Sequence, residues 1–375
     1  MNEKPEIRIL ESLSGIAPAV WDTLAGTQPG LSHAYLAALE ASGCATPDTG
    51  WMPRFPTLWQ GGELKGAMPL YLKSHSWGEY VFDWAWADAY ARHGLDYYPK
   101  LVCAVPFTPV AGPRLLAGTT EARAALLSAA IDLAGRLGVS GLHCLFPEEG
   151  EAREMENMGM MLRSGLQFHW QNRGYADFED YLAAMNHDKR KKIRQERRRL
   201  KEAGIVFTRM AGRDITEAQW VFFEACYRNT YNEHRATPHL NLDFFLRIGE
   251  SLPDNLLLVM AHHQGRPIAA ALNLFDGGRL YGRYWGTTAY VPGLHFEACY
   301  YQGLEFCIER KIAVFEGGAQ GGHKLARGFL PVPTRSAHWL AHPQFAMAVD
   351  EFLARESRGV ALQIGELAEA SPFKR

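Results

Sequence analysis

Three apolar segments joined by two short turns constrain the fold of this chain more than any other feature. The segments are Leu256–His262, Ile268–Phe275 and Leu280–Gly286, with glycine in both intervening turns, Gln264–Pro267 and Asp276–Gly278. Glycine allows the sharp reversal that a hairpin needs. In the last segment two aromatic residues and an arginine occupy alternate positions, which is the period of a strand. The region therefore predicts a three-stranded antiparallel meander.

A helix, a short strand and a glycine-rich loop are predicted directly after the meander. Apolar residues recur at helical spacing from Phe296 to Ile308, and a short apolar strand covers Ile312–Phe315. Glu316 ends this strand, and four glycines follow before His323 and Lys324. Such a loop can turn sharply and lets a ligand approach the backbone.

The two halves of the chain share one order of predicted elements: strand, two helices, antiparallel strands, helix, strand. In the second half, elements outside the meander region are predicted at Ile205–Met210, Ile215–Arg228, Leu242–Glu250 and Gln344–Glu356. Predicted strands of the first half are Ile7–Leu10, Phe55–Gln60, Leu64–Leu72, Glu79–Trp84, Leu101–Val105, Arg114–Leu116 and Gly141–Phe146. Its predicted helices are Ile16–Leu24, Ser32–Ala41, one from Asp88, and Glu121–Leu137.

This order is typical of GNAT-type acyltransferases, and its occurrence twice favours an internal duplication. We predict an α+β fold with two tandem GNAT-like acyltransferase domains, each a mixed sheet flanked by helices. The N-terminal domain is placed at residues 1–170, a basic linker helix at 171–204 and the C-terminal domain at 205–375. Two or three domains are ordinary for 375 residues.

Composition excludes several classes of protein. No stretch approaches the roughly 20 apolar residues of a membrane span, and the polar N-terminus lacks the apolar core of a signal peptide. A cytoplasmic protein is expected. The six cysteines are scattered without a CxxC pair, which favours reduced, buried thiols. His262 and His263 are adjacent on a predicted strand and point to opposite faces, so no metal site is expected.

A strongly basic segment joins the halves. Residues Lys189–Lys201 contain nine basic residues and one acidic residue in a chain with 39 basic and 41 acidic residues in total. A helix is predicted at Asp180–Ala203, with Gly204 as its stop and cations all round it. A solvated helix and an anion-binding surface both remain open. Without aromatic residues, phosphate contact is favoured over base reading. The candidate contacts to tRNA or another polyanion are Lys189, Arg190, Lys192, Arg194, Arg197, Arg198 and Arg199.

Five segments resemble the FemAB-like family of predicted bacterial N-acyltransferases. They are GEYVFDWAWADAY, YYPKLVCAVPFTPVAGPRLL, YGRYWG, LHFEACYYQGLEFCIE and FEGGAQGGHKLARGF. That family is similar to the Fem-type peptidoglycan aminoacyltransferases, which have two GNAT-like domains and use aminoacyl-tRNA to lengthen a cell-wall peptide branch. Several Fem-type proteins carry a long helical arm in the second domain. The interval from Ile215 to Glu250 has no room for one, which leaves the basic helix to take its role.

Acyl transfer to an amine needs a base and donors for the developing oxyanion. In the GNAT layout the acyl group lies where the fourth and fifth strands splay apart, here between Tyr281–Gly286 and Ile312–Glu316. Glu316 is the first candidate for the general base, followed by His295 and Glu297 at the start of the intervening helix. Glu297 could equally cap that helix or offset its dipole, and His295 could serve only in packing.

Candidate substrate contacts fall into two groups. In the second half they are Arg283, Trp285, His323, Lys324 and Arg327. Lys324 and Arg327 follow the glycine-rich loop and suit a phosphate or carboxylate, whereas Arg283 could instead form a buried ion pair with a glutamate. In the first half, Glu79, Tyr97 and two tryptophans accompany the candidates Asp83, Asp88, Tyr98 and Lys100. These residues are typical of a site that binds a sugar or peptide acceptor. They are equally typical of an ordinary hydrophobic core whose side chains end in polar groups. The resemblance implies an acceptor in the first domain.

The residues and the resemblance together predict an N-acyltransferase. It would move an acyl or aminoacyl group, with aminoacyl-tRNA or acyl-CoA as co-substrate, to an amine such as a cell-wall peptide precursor or small molecule. One alternative is an acyl-CoA-dependent N-acetyltransferase, although the segment Arg283–Thr288 only approaches the CoA-binding pattern and lies within a strand. The other alternative is a non-catalytic module that binds peptide or RNA.

Overall fold

The computed structural model describes residues 4–318 and 321–374, and the chain separates into two compact units. Unit 1 comprises Met1–Gly165 and Pro333–Leu362, and unit 2 comprises Leu166–Val332 and Gln363–Arg375. Among the described residues, no helix is both long enough and apolar enough to cross a bilayer.

Between residues 4 and 160, the structure describes eight strands and five α-helices. The strands are β1 (Glu6–Leu10), β2 (Trp51–Pro53), β3 (Phe55–Gln60), β4 (Glu63–Ala67), β5 (Leu70–Lys73), β6 (Lys100–Cys103), β7 (Leu116–Ala117) and β8 (Gly141–Leu145). The helices are α1 (Pro18–Ala25), α2 (His33–Ala41), α3 (Trp84–Arg92), α4 (Thr120–Leu137) and α5 (Glu149–Asn157). Strands β1, β3, β4 and β7 form a small antiparallel sheet. In the larger sheet β5 pairs antiparallel with β6, and β6 pairs parallel with β8.

Seven strands and seven α-helices are described in the part of the chain that follows, residues 161–318 and 321–374. The strands are β9 (Met161–Gln171), β10 (Ile205–Ala211), β11 (Leu256–His263), β12 (Arg266–Phe275), β13 (Arg279–Thr287), β14 (Val314–Glu316) and β15 (Leu330–Leu340). The helices are α6 (Phe178–Ala184), α7 (His187–Glu202), α8 (Glu217–Glu233), α9 (Leu242–Ser251), α10 (Leu294–Phe296), α11 (Gln302–Arg310) and α12 (Pro343–Glu369). Strands β10 to β13 form an antiparallel meander, so the predicted hairpins are present.

The geometry that opens a cavity in unit 2 lies at β13 and β14. These strands pair parallel through three residues on each side, from Arg279 opposite Val314 to Tyr281 opposite Glu316. Strand β13 then continues to Thr287 while β14 ends, so the two strands diverge. A π-helical turn at Glu297–Tyr301 joins α10 to α11 beside this gap, and such turns are frequent at functional sites. The larger sheet has both antiparallel and parallel strand pairs, as a GNAT-like fold does, whereas the small sheet is antiparallel throughout.

The structure divides the chain differently from the sequence prediction of domains at 1–170 and 205–375. Residues 333–362 complete unit 1, because Ser336–Leu340 of β15 pairs with β8 and because Val349 and Leu353 of α12 pack against Tyr90. Helix α7 is an integral part of unit 2 rather than a separate linker at 171–204. Both differences reflect long-range contacts that a local pattern does not contain.

Two predicted elements are wrong in detail. The predicted strand Glu79–Trp84 is irregular, since Gly78 and Tyr80 have positive φ angles of 82° and 62°, which an extended strand does not permit. Helix α3 begins at Trp84, four residues before the predicted start at Asp88. The predicted helix Asp180–Ala203 is two helices, α6 and α7. Asn186 separates them, and its side chain accepts a hydrogen bond of 3.1 Å from the backbone of Lys189, which caps α7.

Candidate active site

An open cavity of about 110 Å³ lies in unit 2 where β13 and β14 diverge. Strand β13 contributes Arg283 and Trp285 to its wall, the helical segment after it contributes His295 and Tyr300, and β14 contributes Phe315. The structure thus brings three predicted site residues, Arg283, Trp285 and His295, to one cavity. Sequence reasoning missed Tyr300, because an aromatic residue on an apolar helix face gives no signal beyond packing.

Glu316 forms a buried ion pair at the base of the strand gap. Arg279 donates a 2.9 Å hydrogen bond to its Oε1, and Arg283 Nη2 lies 3.5 Å from its Oε2. Burial raises the pKa of the Glu316 carboxyl group, and the two guanidinium groups oppose that shift. On β9, His169 lies opposite Glu316, and burial with nearby cations lowers its pKa to about 3. The predicted base therefore has arginine partners, as the ion-pair alternative for Arg283 expected.

The predicted base His295 lies within the cavity wall and is uncharged at neutral pH. Burial lowers its pKa to about 4, with His323 and Lys324 adding to the shift. Its ring centroid lies 5.2 Å from that of Trp285 and 5.4 Å from that of Tyr300. A neutral imidazole retains one nitrogen that can accept a proton.

Lys324 places a buried ammonium group next to this cavity. Burial lowers its pKa to about 8, and it interacts electrostatically with Cys299 and Arg283, both of which line the cavity. Burial also raises the pKa of the Cys299 thiol, so that thiol stays protonated. Ala319 and Gln320 of the predicted glycine-rich loop lie outside the described residues.

Arg327 is held by the protein rather than presented to a ligand. Its Nη2 donates to both carboxylate oxygens of Glu196 at 2.9 Å, and its guanidinium group lies 3.4 Å from the ring centroid of Phe296. His323 is exposed, and its Nε2 lies 3.1 Å from the Tyr300 hydroxyl group. Arg327 therefore joins the loop to α7 through its ion pair with Glu196. His323, the other predicted substrate contact, remains accessible to solvent.

Glu297 and Arg197 were predicted for separate roles, and the structure pairs them. Arg197 donates to both carboxylate oxygens of Glu297 at 2.9–3.1 Å and to Glu305 at 2.7 Å. Gln302 donates a further hydrogen bond of 2.8 Å to Glu297. Because the carboxylate is already occupied, these contacts fix α7 against the helical segment that carries His295.

The exposed face of α7 is a cationic groove of about 490 Å³. Its lining residues recur every three or four positions and are His187, Arg190, Lys191, Arg194, Gln195 and Arg198. Ile193 and Leu200 are buried on the opposite side of the helix, and four of the nine cations of Lys189–Lys201 line the groove. Of the other predicted contacts, Lys192 and Arg199 are exposed outside the groove and Lys189 is half-buried.

Unit 1 contains a buried ionic network around Lys100. The Lys100 ammonium group donates to Ser76 Oγ at 2.7 Å, to Glu79 Oε2 at 2.8 Å and to Asp83 Oδ2. Tyr98 is linked to it through Ser76, at 2.9 Å. Burial raises the pKa of Glu79 to about 7 even though Lys100 opposes the shift. The structure therefore brings the predicted residues Asp83, Tyr98 and Lys100 together. The hydrogen-bonding capacity of the Lys100 ammonium group is used by side chains of the protein itself.

Two histidines extend this network. The Tyr97 hydroxyl group donates to Asp83 at 2.7 Å and lies 3.3 Å from His143 Nε2, and His143 Nδ1 lies 2.8 Å from His338 Nδ1. Burial lowers the pKa of both histidines. Sequence reasoning missed both, because His338 is 195 positions from its partner. Asp88 is exposed on α3 and takes no part in the described hydrogen bonds of the network.

Aromatic side chains lie exposed on the segment that carries Glu79 and Asp83. Trp77 and Phe82 are 60% and 61% exposed, and the ring centroids of Trp77 and Trp84 lie 5.0 Å apart.

Within the described part of the chain, no group of three or more histidine, cysteine, aspartate or glutamate residues is placed to hold a metal ion.

Comparison with solved structures defines the class of fold. FemX superposes with a TM-score of 0.55 at 11% identity, over 89% of this chain and 98% of that chain. L-PGS from Bacillus licheniformis gives 0.52 at 10% identity, over 85% and 96%. The C-terminal domain of a putative lysylphosphatidylglycerol synthetase from Agrobacterium fabrum gives 0.50 at 10% identity, over 67% and 80%. The predicted pair of GNAT-like domains is confirmed.

Likenesses at 10–11% identity show the fold. The chain belongs to the FemAB-like family, described as peptidoglycan biosynthesis/recognition, whose model matches residues 12–375. The family predicted from the five sequence segments is therefore confirmed. The sequence matches no curated protein.

Proposed function

We propose that the unit 2 cavity is the site of acyl transfer to an amine. The observation that carries this proposal is a cavity in the strand gap that has a neutral histidine in its wall and a buried lysine beside it. The acceptor amine attacks the carbonyl carbon, a C–N bond forms, and the bond to the donor oxygen or sulfur breaks. Lys324 stabilises the developing oxyanion, since a desolvated cation is effective there.

His295 is the base that this geometry favours. It lines the cavity, whereas the other two candidates, Glu316 and Glu297, are held by arginines and are outside the described lining. The proton of the attacking amine passes to the free imidazole nitrogen. Glu316 then serves to orient Arg283 and to join β13 to β14.

The loss of Lys324 tests this proposal. We expect Lys324→Gln to lower kcat by about 100-fold, because removal of one oxyanion donor costs about that much, while Lys65→Gln on an exposed hairpin leaves kcat unchanged. The measurement is product formation from charged tRNA and from acyl-CoA, supplied in parallel with amine acceptors. A protein that binds these ligands but yields no product with either donor would be a binding module, and the transfer proposal would fail.

We further propose that the outward face of α7 binds the phosphates of a tRNA donor. Four cations line one groove, and two of them, Arg194 and Arg198, form exposed ion pairs with Glu179 and Glu202. Arg197 on the inward side is instead occupied by the partly or fully buried Glu297 and Glu305. The resemblance to Fem-type enzymes, which use aminoacyl-tRNA, supports the same donor. Acyl-CoA is the competing co-substrate.

Charge reversal on this face separates the two donors. We expect the triple variant Arg190→Glu, Arg194→Glu, Arg198→Glu to abolish tRNA binding at physiological salt. Binding is measured at several salt concentrations for the wild-type protein and the variant. Because the variant lacks three phosphate contacts, the slope of log K against log salt for any binding that remains should be smaller in magnitude by about 2 to 3. Reversal of the exposed Arg153, Arg213 and Arg266 is the matched control. Equal loss in both triple variants would reject α7 as the tRNA surface.

For a sugar or peptide ligand, we propose the aromatic segment of unit 1 as a separate binding surface. Trp77 and Trp84 offer exposed rings, and the network beneath leaves Glu79 Oε1 and Asp83 Oδ1 without hydrogen-bond partners among the described residues. Lys100 and Asp83 would act by holding this segment in place, because their own charges are already paired.

A further inference from the structure

Arg283 has hydrogen-bonding capacity that the protein does not use. Its side chain is 2% exposed and lines the unit 2 cavity. Its Nε and Nη2 are buried and have no hydrogen-bond partner among residues 4–318 and 321–374. The nearest carboxylate oxygen, Glu316 Oε2, lies 3.5 Å from Nη2 and is itself without a hydrogen bond in the described chain. Buried guanidinium donors of this kind normally face a ligand or ordered water.

The charges around the cavity sum to an excess of positive charge. Arg279, Arg283 and Lys324 are cations, and Glu316 is the carboxylate that faces them. The nearby histidines, His169 and His295, are neutral at pH 7. Of the other acidic residues in the region, Asp276 accepts a hydrogen bond from Tyr281, and Glu297 and Glu196 are paired with Arg197 and Arg327. The cations outnumber the carboxylates that face them, so an anion is favoured over a cation in the cavity.

The size of the cavity limits what that anion can be. An engineered cavity of roughly 150 Å³ holds benzene, which has six heavy atoms, so a cavity of about 110 Å³ takes about four or five. The guanidinium fork matches the two oxygens of a carboxylate. Tyr300, Phe315 and Trp285 provide apolar walls for a short carbon stem.

We propose that Arg283 makes this cavity selective for a small carboxylate on a short carbon stem. This inference rests on the proposed function, because it names a substrate class for the same site. The carboxylate could come from either substrate: from an acyl group that ends in a carboxylate, or from an amine acceptor that is an amino acid. Arg283 is then a specificity-determining residue, and His295 and Lys324 perform the transfer.

A binding experiment without turnover tests the inference. Ligand-observed NMR at millimolar concentration compares propionate with propionamide, which have the same shape and differ in charge. We expect propionate to bind the full-length protein at least 10-fold more tightly, since a charged hydrogen-bond pair is lost with the amide. Arg283→Gln should abolish that preference, and Arg266→Gln, which changes an exposed turn residue, should keep it. Equal binding of the two probes by the wild-type protein would overturn the inference.

Folding of the variant needs its own control, because Arg283→Gln leaves Glu316 with Arg279 alone. The double variant Arg283→Gln, Glu316→Gln removes both charges and is expected to fold and to show the same loss of preference. A double variant that folds, by circular dichroism, and still prefers propionate would equally overturn the inference.

Turnover assays then identify the source of the carboxylate. Glycine is compared with glycinamide as acceptor, and a succinyl donor with a butyryl donor. A preference for glycine assigns the carboxylate to the acceptor, and a preference for the succinyl donor assigns it to the acyl group. Transfer without either preference would overturn the inference and leave the proposed function standing. Selective propionate binding without any transfer would reject the proposed function and leave the carboxylate site standing.

Discussion

Lys100→Met is expected to lower the free energy of unfolding by about 3–5 kcal/mol, the usual cost of removing one partner from a buried ion pair. Lys100 is wholly buried and holds Glu79 and Asp83, whose side chains are 1% and 3% exposed. Without the ammonium group, two carboxylates lie next to each other in the core with no cation between them. Urea unfolding at pH 7.5 measures the loss.

The pH dependence of this loss follows from Glu79. Burial raises its folded pKa to about 7, above the unfolded value of about 4.5, so the stability that it contributes is present at low pH and is lost as pH rises through 7. Lys100 opposes that rise, so the variant should have a still higher pKa. We therefore expect the deficit of Lys100→Met to be larger at pH 8 than at pH 5.

Two controls separate the ion pair from the loss of packing. Adding Asp83→Asn to Lys100→Met removes one of the two stranded charges and should restore part of the stability. Lys65→Met changes a lysine that pairs with Glu63 on an exposed hairpin, where ion pairs contribute little. A deficit that neither shrinks at pH 5 nor responds to Asp83→Asn would show that the carboxylates have another source of stabilisation.

The sequence predicted much of unit 2 correctly, because short apolar segments and the glycine turns between them define its strands. The strands of the meander were placed within one or two residues of β11, β12 and β13, since glycine turns bound three apolar runs. Strands β2, β9 and β15 and helix α5 were missed. The β15 sequence, LPVPTRSAHWL, contains two prolines and no regular alternation, and its pairing partner β8 lies almost 200 positions earlier. Contacts at that distance also decide where the two units divide.

For the candidate site, the type of residue indicated which side chains line the cavity, but the sequence did not show which charged side chains form ion pairs with each other. Arg283, Trp285 and His295 were singled out because an arginine, a tryptophan and a histidine beside a strand gap are chemically conspicuous, and all three line one cavity. The pairs Arg197–Glu297 and Arg327–Glu196 join residues 100 and 131 positions apart. A sequence shows each charge and not its partner, so residues that hold α7 in place were assigned to catalysis and ligand binding.

Gly286→Ala is expected to lower the free energy of unfolding by 3 kcal/mol or more, because the added methyl group has no space. A Cβ at this position would lie 1.9 Å from the carbonyl oxygen of Cys226 and 2.2 Å from its carbonyl carbon, both backbone atoms of α8. Because the clash is with backbone atoms, a change of side-chain rotamer cannot relieve it, and the helix would have to move away from β13. That movement would also break the 2.9 Å hydrogen bond from Thr230 to the Trp285 carbonyl oxygen, and overpacking of this kind is among the costly core changes.

Gly277→Ala is the matched control, since a Cβ at that turn position meets no atom within 4 Å, and it should unfold at nearly the wild-type urea concentration. The comparison also explains why a glycine stands in the segment Arg283–Thr288. Close packing of α8 against β13 requires Gly286, so the residue needs no cofactor phosphate to account for it. Because β13 also carries Arg283 and Trp285, displacement of α8 should weaken the selective binding of propionate as well. If Gly286→Ala and Gly277→Ala proved equally stable, that packing explanation would be wrong, and a ligand-binding role for the glycine would be the alternative.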